Sequence, residues 1–191
     1  MDIRVNHISK SYDGQEVLRD YTCTIQENTI TCIMGPSGSG KTTLLNILLG
    51  LQRPDAGSVE GVPYGELSAV FQEDRLCENL SAMANLRLVC HKGTDAQILR
   101  RGMIDLGLSE AFHKPARELS GGMRRRVAIL RALLADSKCI VMDEPFKGLD
   151  EDTKEMTIAY VRKHAAERTL VVVTHDSREV ELLRAADLIH I

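Results

Sequence analysis

No tryptophan occurs in this 191-residue chain, and aromatic residues make up only 4% of it. A surplus of positive charge is also missing: 24 Lys and Arg stand against 27 Asp and Glu, a formal net charge of -3. Phosphate-backbone binders usually carry a basic excess, so no nucleic-acid partner is expected, although Met123-Arg124-Arg125-Arg126 is a candidate local basic patch. No apolar run approaches the roughly 18–20 residues of a membrane span. The opening MDIRVNHISK has no apolar stretch of the secretory type, so any membrane role is expected to come through a partner. Neither CxxC spacing nor a histidine at zinc-finger distance accompanies the five cysteines, Cys23, Cys32, Cys77, Cys90 and Cys139. An odd number without pairing signals fits reduced, mostly buried thiols in a cytosolic protein. Internal repeats and low-complexity tracts are absent.

What remains is ordinary for an α/β protein, 43% hydrophobic and 27% charged, and long enough for one proper core. Residues 2–34 read as short strands, with Ile3, Val5 and Ile8 apolar among polar neighbours and Tyr21–Ile25 and Ile30–Met34 flanking a turn at Glu27-Asn28. Lys41–Leu51 has a helical apolar face, Arg53–Gly57 reads as a turn, and Ser58–Gly61 and Leu67–Phe71 as strands. From Leu76 to Lys138 the texture becomes helical, broken at Gly93, Gly102 and Gly107. Continuous apolar runs at Cys139–Met142 and Leu170–Thr174 have the look of buried parallel strands. Helices are expected over Glu151–Glu167 and Ser177–Ala185, and a last strand over Leu188–Ile191. The expectation is a single α/β domain spanning 1–191, with an antiparallel β part at its front and an inserted helical subdomain at about 76–137 between segments 1–75 and 138–191.

Gly35-Pro36-Ser37-Gly38-Ser39-Gly40-Lys41-Thr42 fits G-x-x-x-x-G-K-[ST], the P-loop. Its glycines let backbone N–H groups curl around phosphate oxygens, and the helix that follows adds its positive end. Lys41 reaches the β- and γ-phosphates, and the Thr42 hydroxyl is a Mg²⁺ ligand. A chance Gly/Ser turn would lack the apolar strand before it and the helix behind it. In Ile140-Val141-Met142-Asp143-Glu144-Pro145, a carboxylate ends a buried strand, where Asp143 can hold Mg²⁺ and Glu144 can polarise an attacking water. Together the two motifs specify a P-loop NTPase.

Leu119-Ser120-Gly121-Gly122-Met123 narrows the class, because it resembles the LSGGQ signature of ABC-type ATPases and stands about twenty residues before Asp143. The usual fifth-position Gln is Met123 here, a departure that many importer subunits share. The resemblance runs from Tyr12 to His175 and implies roles residue by residue. Tyr12 would stack on adenine, and Gln72 would touch Mg²⁺ and sense a transmembrane partner. Asp150, in Gly148-Leu149-Asp150, would contact an opposite subunit, and His175 would be the switch histidine. The other histidines, His7, His91, His113, His164 and His190, read as ordinary surface or core residues.

Taken together, the resemblance implies ATP held by Tyr12, Gly35, Pro36, Ser37, Gly38, Ser39, Gly40, Lys41, Thr42 and Thr43. Ser120, Gly121, Gly122 and Asp150 would serve the nucleotide of a second subunit, while Thr42, Gln72 and Asp143 would form the Mg²⁺ side. Glu144, His175, Lys41 and Gln72 would carry hydrolysis. The implied protein is a dimer, of itself or with a homologous ATPase, docked on permease subunits at the cytoplasmic face of a bacterial membrane. An extracytoplasmic solute-binding protein would be an indirect partner. Phe71–Leu76 and Asp143–Phe146 look like the importer branch for nitrate, sulfonates and taurine. The alternative is a non-transport ABC ATPase with a mechanical or assembly role. Mechanical members place long coiled coils or zinc modules between the two Walker motifs, and translation-factor relatives carry two cassettes; this sequence has neither.

Overall fold

A computed structural model describes residues 1–191. Strand β1 (Ile3–Tyr12) turns at Asp13-Gly14 into β2 (Gln15–Ile25), with Tyr12 opposite Gln15. Both turn residues have positive φ, 47° and 81°, the backbone that a two-residue hairpin demands. Strand β3 (Ile30–Met34) leads through the glycine-rich loop to helix α1 (Lys41–Leu48). Next come β4 (Ala56–Glu60) and β5 (Leu67–Val70), then helices α2 (Ala82–Arg87), α3 (Ala96–Asp105) and α4 (Gly121–Leu134). The chain finishes with β6 (Cys139–Asp143), α5 (Glu151–His164), β7 (Thr169–Val173), α6 (Ser177–Leu183) and β8 (Asp187–His190).

Two sheets result. The first is antiparallel, in the order β2-β1-β4, and the second is parallel, in the order β5-β6-β7-β3-β8. All residues of β6 and β7 are buried, which is why their sequences are apolar without alternation. One core lies between the sheets, where Ile3, Val5, Ile8 and Ile25 meet Ile33, Leu44, Leu48 and Val173. A second lies on the opposite face of the parallel sheet, under α5 and α6, with Phe146 and Ile158 fully or almost fully buried. The third belongs to α2, α3 and α4, around Leu86, Leu99, Met103, Val127 and Leu130. Helix α4 serves two of these cores, because Ile129, Ala132 and Leu133 turn toward the sheet while Val127 and Leu130 turn toward the helices.

Differences from the expected boundaries have local causes. β2 starts at Gln15, well before Tyr21, since its exposed half is held by pairing with β1 rather than by burial. β4 takes in Ala56 and Gly57, which read as turn residues. Gly57 (φ 84°) lies against the His7 backbone at an irregularity in the β1–β4 register. Helix α5 ends at His164 rather than Glu167, with Glu167 itself at φ 67°. The arginine run is not a basic patch. Arg124 Nη1 donates to Leu119 O at 3.0 Å, Arg125 Nη1 to Phe71 O at 2.6 Å and Arg126 Nη1 to Leu106 O at 2.6 Å. Each guanidinium thus has a carbonyl partner within the fold, although the Arg124 side chain stays 40% exposed. No helix is long and apolar enough to cross a membrane.

Candidate active site

The loop between β3 and α1 leaves the C-terminal end of the parallel sheet, where α/β folds place their ligands. Gly40 occupies φ 97°, and a Cβ there would meet Leu18 Cδ2 at 2.7 Å and Val17 O at 2.9 Å. Only glycine satisfies both the conformation and the space. As N-cap, Gly40 offers no side-chain oxygen to the first turn of α1. The leading N–H groups of that helix are thereby left without a side-chain cap, with the positive end of its dipole. Lys41 is 8% exposed, and its Nζ donates to Gly35 O at 2.8 Å and Pro36 O at 2.7 Å.

An open cleft of about 360 Å³ lies against this loop. Ser37, Gly38, Gly40, Lys41, Thr42 and Thr43 line one side, Tyr12 another, and Gln72, Asp143 and Glu144 the third. Gly35, Pro36 and Ser39 support the loop from behind rather than lining the cleft. Thr42 Oγ1 donates to Asp143 Oδ2 at 2.8 Å. The other oxygen, Asp143 Oδ1, is buried and has no hydrogen-bond partner. Burial pushes the Asp143 carboxyl above the ordinary range, opposed by the Thr42 hydrogen bond. A buried carboxylate with one orphaned oxygen beside a threonine hydroxyl fits a hard, oxygen-seeking cation. No group of three or more His, Cys, Asp or Glu forms a metal cage, which suits Mg²⁺, an ion that keeps waters and phosphate oxygens among its ligands.

Glu144, next in sequence, is in the left-handed region at φ 45°, with its N–H donating to Val173 O at 3.0 Å. Its Oε2 accepts from Lys147 Nζ at 2.6 Å, and its Oε1 lies 3.6 Å from His175 Nδ1. The Lys147 hydrogen bond is the main cause that holds the Glu144 carboxyl below its usual range. His175 follows β7 and stands beside Glu144 without lining the cleft, its side chain 64% exposed, while Thr174 before it is buried and donates to Glu179 Oε2 at 2.5 Å. Gln72 is held by its backbone: Arg125 from α4 donates to both Phe71 O and Gln72 O and pairs with Asp74 at 3.2 Å.

Two groups of expected site residues lie elsewhere. Ser120 is exposed, lines no part of the cleft, and caps α4 by accepting from Met123 N at 3.2 Å. Gly121 and Gly122 begin that helix, and a Cβ on Gly122 would touch Leu149 Cδ2 at 3.4 Å, so the signature adjoins the Gly148–Asp150 loop. Asp150 caps α5, accepting from Thr153 N at 3.0 Å. Sequence reasoning did not reach Gln15 and Val17, which line the cleft beside Tyr12, nor Gln52, whose Oε1 accepts from Tyr12 Oη at 2.6 Å. It also passed over Lys147, a lysine in a turn with no motif to flag it.

Comparison with known proteins agrees with this geometry. A family model described as ABC transporter matches residues 18–147. The aliphatic sulfonates import ATP-binding protein 2 of Pseudomonas syringae pv. tomato is 37% identical over 183 residues, covering 94% of this chain and 77% of that protein. The tungstate uptake system ATP-binding protein of Peptoclostridium acidaminophilum is 35% identical over 202 residues, 96% of this chain and 91% of that one. A lipoprotein-releasing system ATP-binding protein of Saccharophagus degradans is 39% identical over 184 residues, 84% of this chain and 80% of that protein. Among solved structures, the dimeric bacterial ABC transporter cassette MJ0796 superimposes with a TM-score of 0.84 at 28% identity, over 99% of this chain and 94% of that one. On the family model and these relatives, this chain belongs to the ABC transporter family and is an ATP-binding ATPase.

Proposed function

We propose that this chain hydrolyses ATP as one half of a two-subunit motor and delivers the work to permease subunits that import a small solute. The observation that carries the reading is the separation of Ser120 from the cleft. Lys41, Thr42, Gln72, Asp143 and Glu144 share one cavity, while Ser120 and Gly121, exposed at the N-terminus of α4, line no part of it. A helix N-terminus suited to phosphate but absent from its own chain's phosphate site is explained by a second chain's nucleotide. Each subunit then supplies half of two sites.

Within a site, the P-loop backbone and Lys41 would hold the β- and γ-phosphates, and the face of Tyr12 would stack on the base. Thr42 and Asp143, with Gln72, are the residues that would hold Mg²⁺. When bound, that ion would neutralise the charge that develops on the phosphates. Glu144 orients and polarises the attacking water through Oε1, the oxygen facing His175. Ser120 and Gly122 of the opposite subunit close the γ-phosphate side, so turnover requires two chains to meet. Catalysis of this kind is positioning and charge neutralisation rather than covalent chemistry.

The Gln72 segment is bolted to α4 by Arg125, so a shift at the cleft would be felt by the helical layer, the face offered to a permease. A small oxyanion or sulfonate is the proposed cargo, on the strength of the sulfonate and tungstate relatives. The lipoprotein-releasing relative shows that similar cassettes drive different membrane partners. Purification of the tagged chain from membranes tests the assignment. It should bring down an integral-membrane permease, and the complex in proteoliposomes should couple ATP hydrolysis to uptake of a sulfonate or tungstate. A chain that purifies without any membrane protein, or a complex that hydrolyses ATP without moving either solute class, would refute the motor or the cargo respectively.

A further inference from the structure

Lys147 stands in the turn Pro145-Phe146-Lys147-Gly148, just beyond the candidate base. Its Nζ is 2.6 Å from Glu144 Oε2, while Glu144 Oε1 stays on the His175 side. The backbone of the turn is fixed independently. Lys147 N donates to Glu144 O at 3.3 Å, Phe146 is fully buried, and Gly148 takes φ 79°. We infer that Lys147 is a positioning residue for ATP hydrolysis, holding one oxygen of the Glu144 carboxylate so that the other is presented to the attacking water.

The inference rests on the reading of Glu144 as the base and extends it to the residue that aims it. A carboxylate can turn about its side-chain bonds, and Glu144 has a specific reason to turn away, because the Asp143 carboxylate is its immediate neighbour and like charges repel. Lys147 opposes that repulsion and occupies Oε2. No other ion-pair partner reaches that oxygen, since His175 approaches Oε1. With Oε2 engaged, Oε1 is the oxygen left to accept a proton from water. The Lys147 side chain is 64% exposed and that of Glu144 15%, so the lysine reaches from solvent to the cleft wall. A neutral residue of similar length could fill the same space without holding the oxygen.

The test compares steady-state ATP hydrolysis by wild type, Lys147→Met, Lys147→Arg, Glu144→Gln and the double variant. Lys147→Met should lower kcat by about 5- to 50-fold, below the full effect of losing a positioned base, with KM for ATP within twofold. Lys147→Arg, which keeps the charge and the donors, should recover most of the loss. In the Glu144→Gln background, Lys147→Met should have no further effect, because a residue that acts through Glu144 has nothing left to aim. ATP binding and thermal unfolding of Lys147→Met should match wild type, which separates aiming from folding. An unchanged or raised kcat in Lys147→Met, or a further loss in the double variant, would overturn the positioning role while leaving Glu144 intact. Full turnover in Glu144→Gln would instead remove the base assignment beneath it.

Discussion

Thr42 Oγ1 and Asp143 Oδ2 are 101 residues apart in sequence and 2.8 Å apart in space. This bond joins the start of α1 to the end of β6 across the floor of the cleft, and it leaves Asp143 Oδ1 buried without a partner. Because burial raises the Asp143 carboxyl, its charge costs stability at neutral pH, and the cost fades as pH falls through its folded value toward the ordinary carboxylate range. Asp143→Asn should therefore stabilise the nucleotide-free protein and raise its Tm, by about 2–4 °C for each kcal/mol gained at this chain length. Adding ATP with Mg²⁺ should raise Tm further for wild type but hardly at all beyond ATP with EDTA for the variant. Thermal shift with and without Mg²⁺ checks both parts, and a variant less stable than wild type would mean the charge is already compensated.

Glu144→Gln keeps the shape of the side chain and removes its basicity. Turnover should fall by about 10²–10⁴-fold, the range for a positioned general base, while ATP binding persists. The variant should also accumulate an ATP-dependent dimer in size-exclusion chromatography. Turnover within threefold of wild type would take Glu144 out of the role.

Tyr12 Oη is committed to Gln52, which leaves the ring face as the part able to meet a base. Tyr12→Ala should weaken ATP binding by about 1–3 kcal/mol, the range for base–aromatic stacking. Tyr12→Phe should cost less, because only a partly exposed hydrogen bond is lost. Titration calorimetry on both variants decides the matter, and equal weakening would show that the hydroxyl, acting through Gln52, is what counts.

Arg125 is 9% exposed and holds Phe71 O, Gln72 O and Asp74 together. Arg125→Ala leaves two carbonyls without their charged partner and Asp74 with Arg124 alone, 3.6 Å away. The expected loss is about 3–5 kcal/mol in urea unfolding, as for breaking a buried ion pair. A loss under 1 kcal/mol would mean that water replaces the guanidinium without penalty.

The exposed Ser120 gives the two-chain site a direct assay. Cys at Ser120 combined with Cys at Ser39, or at the more exposed Ser37, should crosslink two chains only with ATP bound and Glu144→Gln present. Native cysteines are replaced first, above all the exposed Cys77. Mixed Lys41→Ala and Ser120→Arg subunits should regain activity if one intact composite site suffices. Crosslinking that ignores nucleotide would break the link between the signature and a partner's P-loop.

How far the sequence carried this picture depended on whether a residue's environment follows from its neighbours. Cys139–Met142 and Leu170–Thr174 were readable as buried strands because every position but Thr174 is apolar, and the P-loop because its glycine spacing is a backbone requirement. The edges of β2 and β4 were not, since their exposed residues are held by cross-strand partners far away in sequence. Arg124, Arg125 and Arg126 looked like a surface patch because a run of arginines gives no hint of the carbonyls waiting for it. Asp150 and Ser120 are both helix caps as they stand, so any duty toward a second chain is added to a local one. Lys147 was invisible for the plainest reason: only the fold of its turn brings it onto Glu144.

Strand order has a metrical consequence for the site. β3 and β6, which deliver Lys41 and Asp143, are not neighbours, because β7 runs between them. Adjacent strands stand about 4.8 Å apart, so the two halves of the phosphate site are spaced by roughly 9.6 Å. β7 therefore acts as a gauge block, setting by its thickness alone a gap that the side chains of Thr42 and Asp143 can just span. Swapping the strand order would close that gap and bring the lysine and carboxylate face to face. Lengthening β7 by a residue would leave the gap as it is but displace His175 together with the Val173 carbonyl that holds the Glu144 N–H.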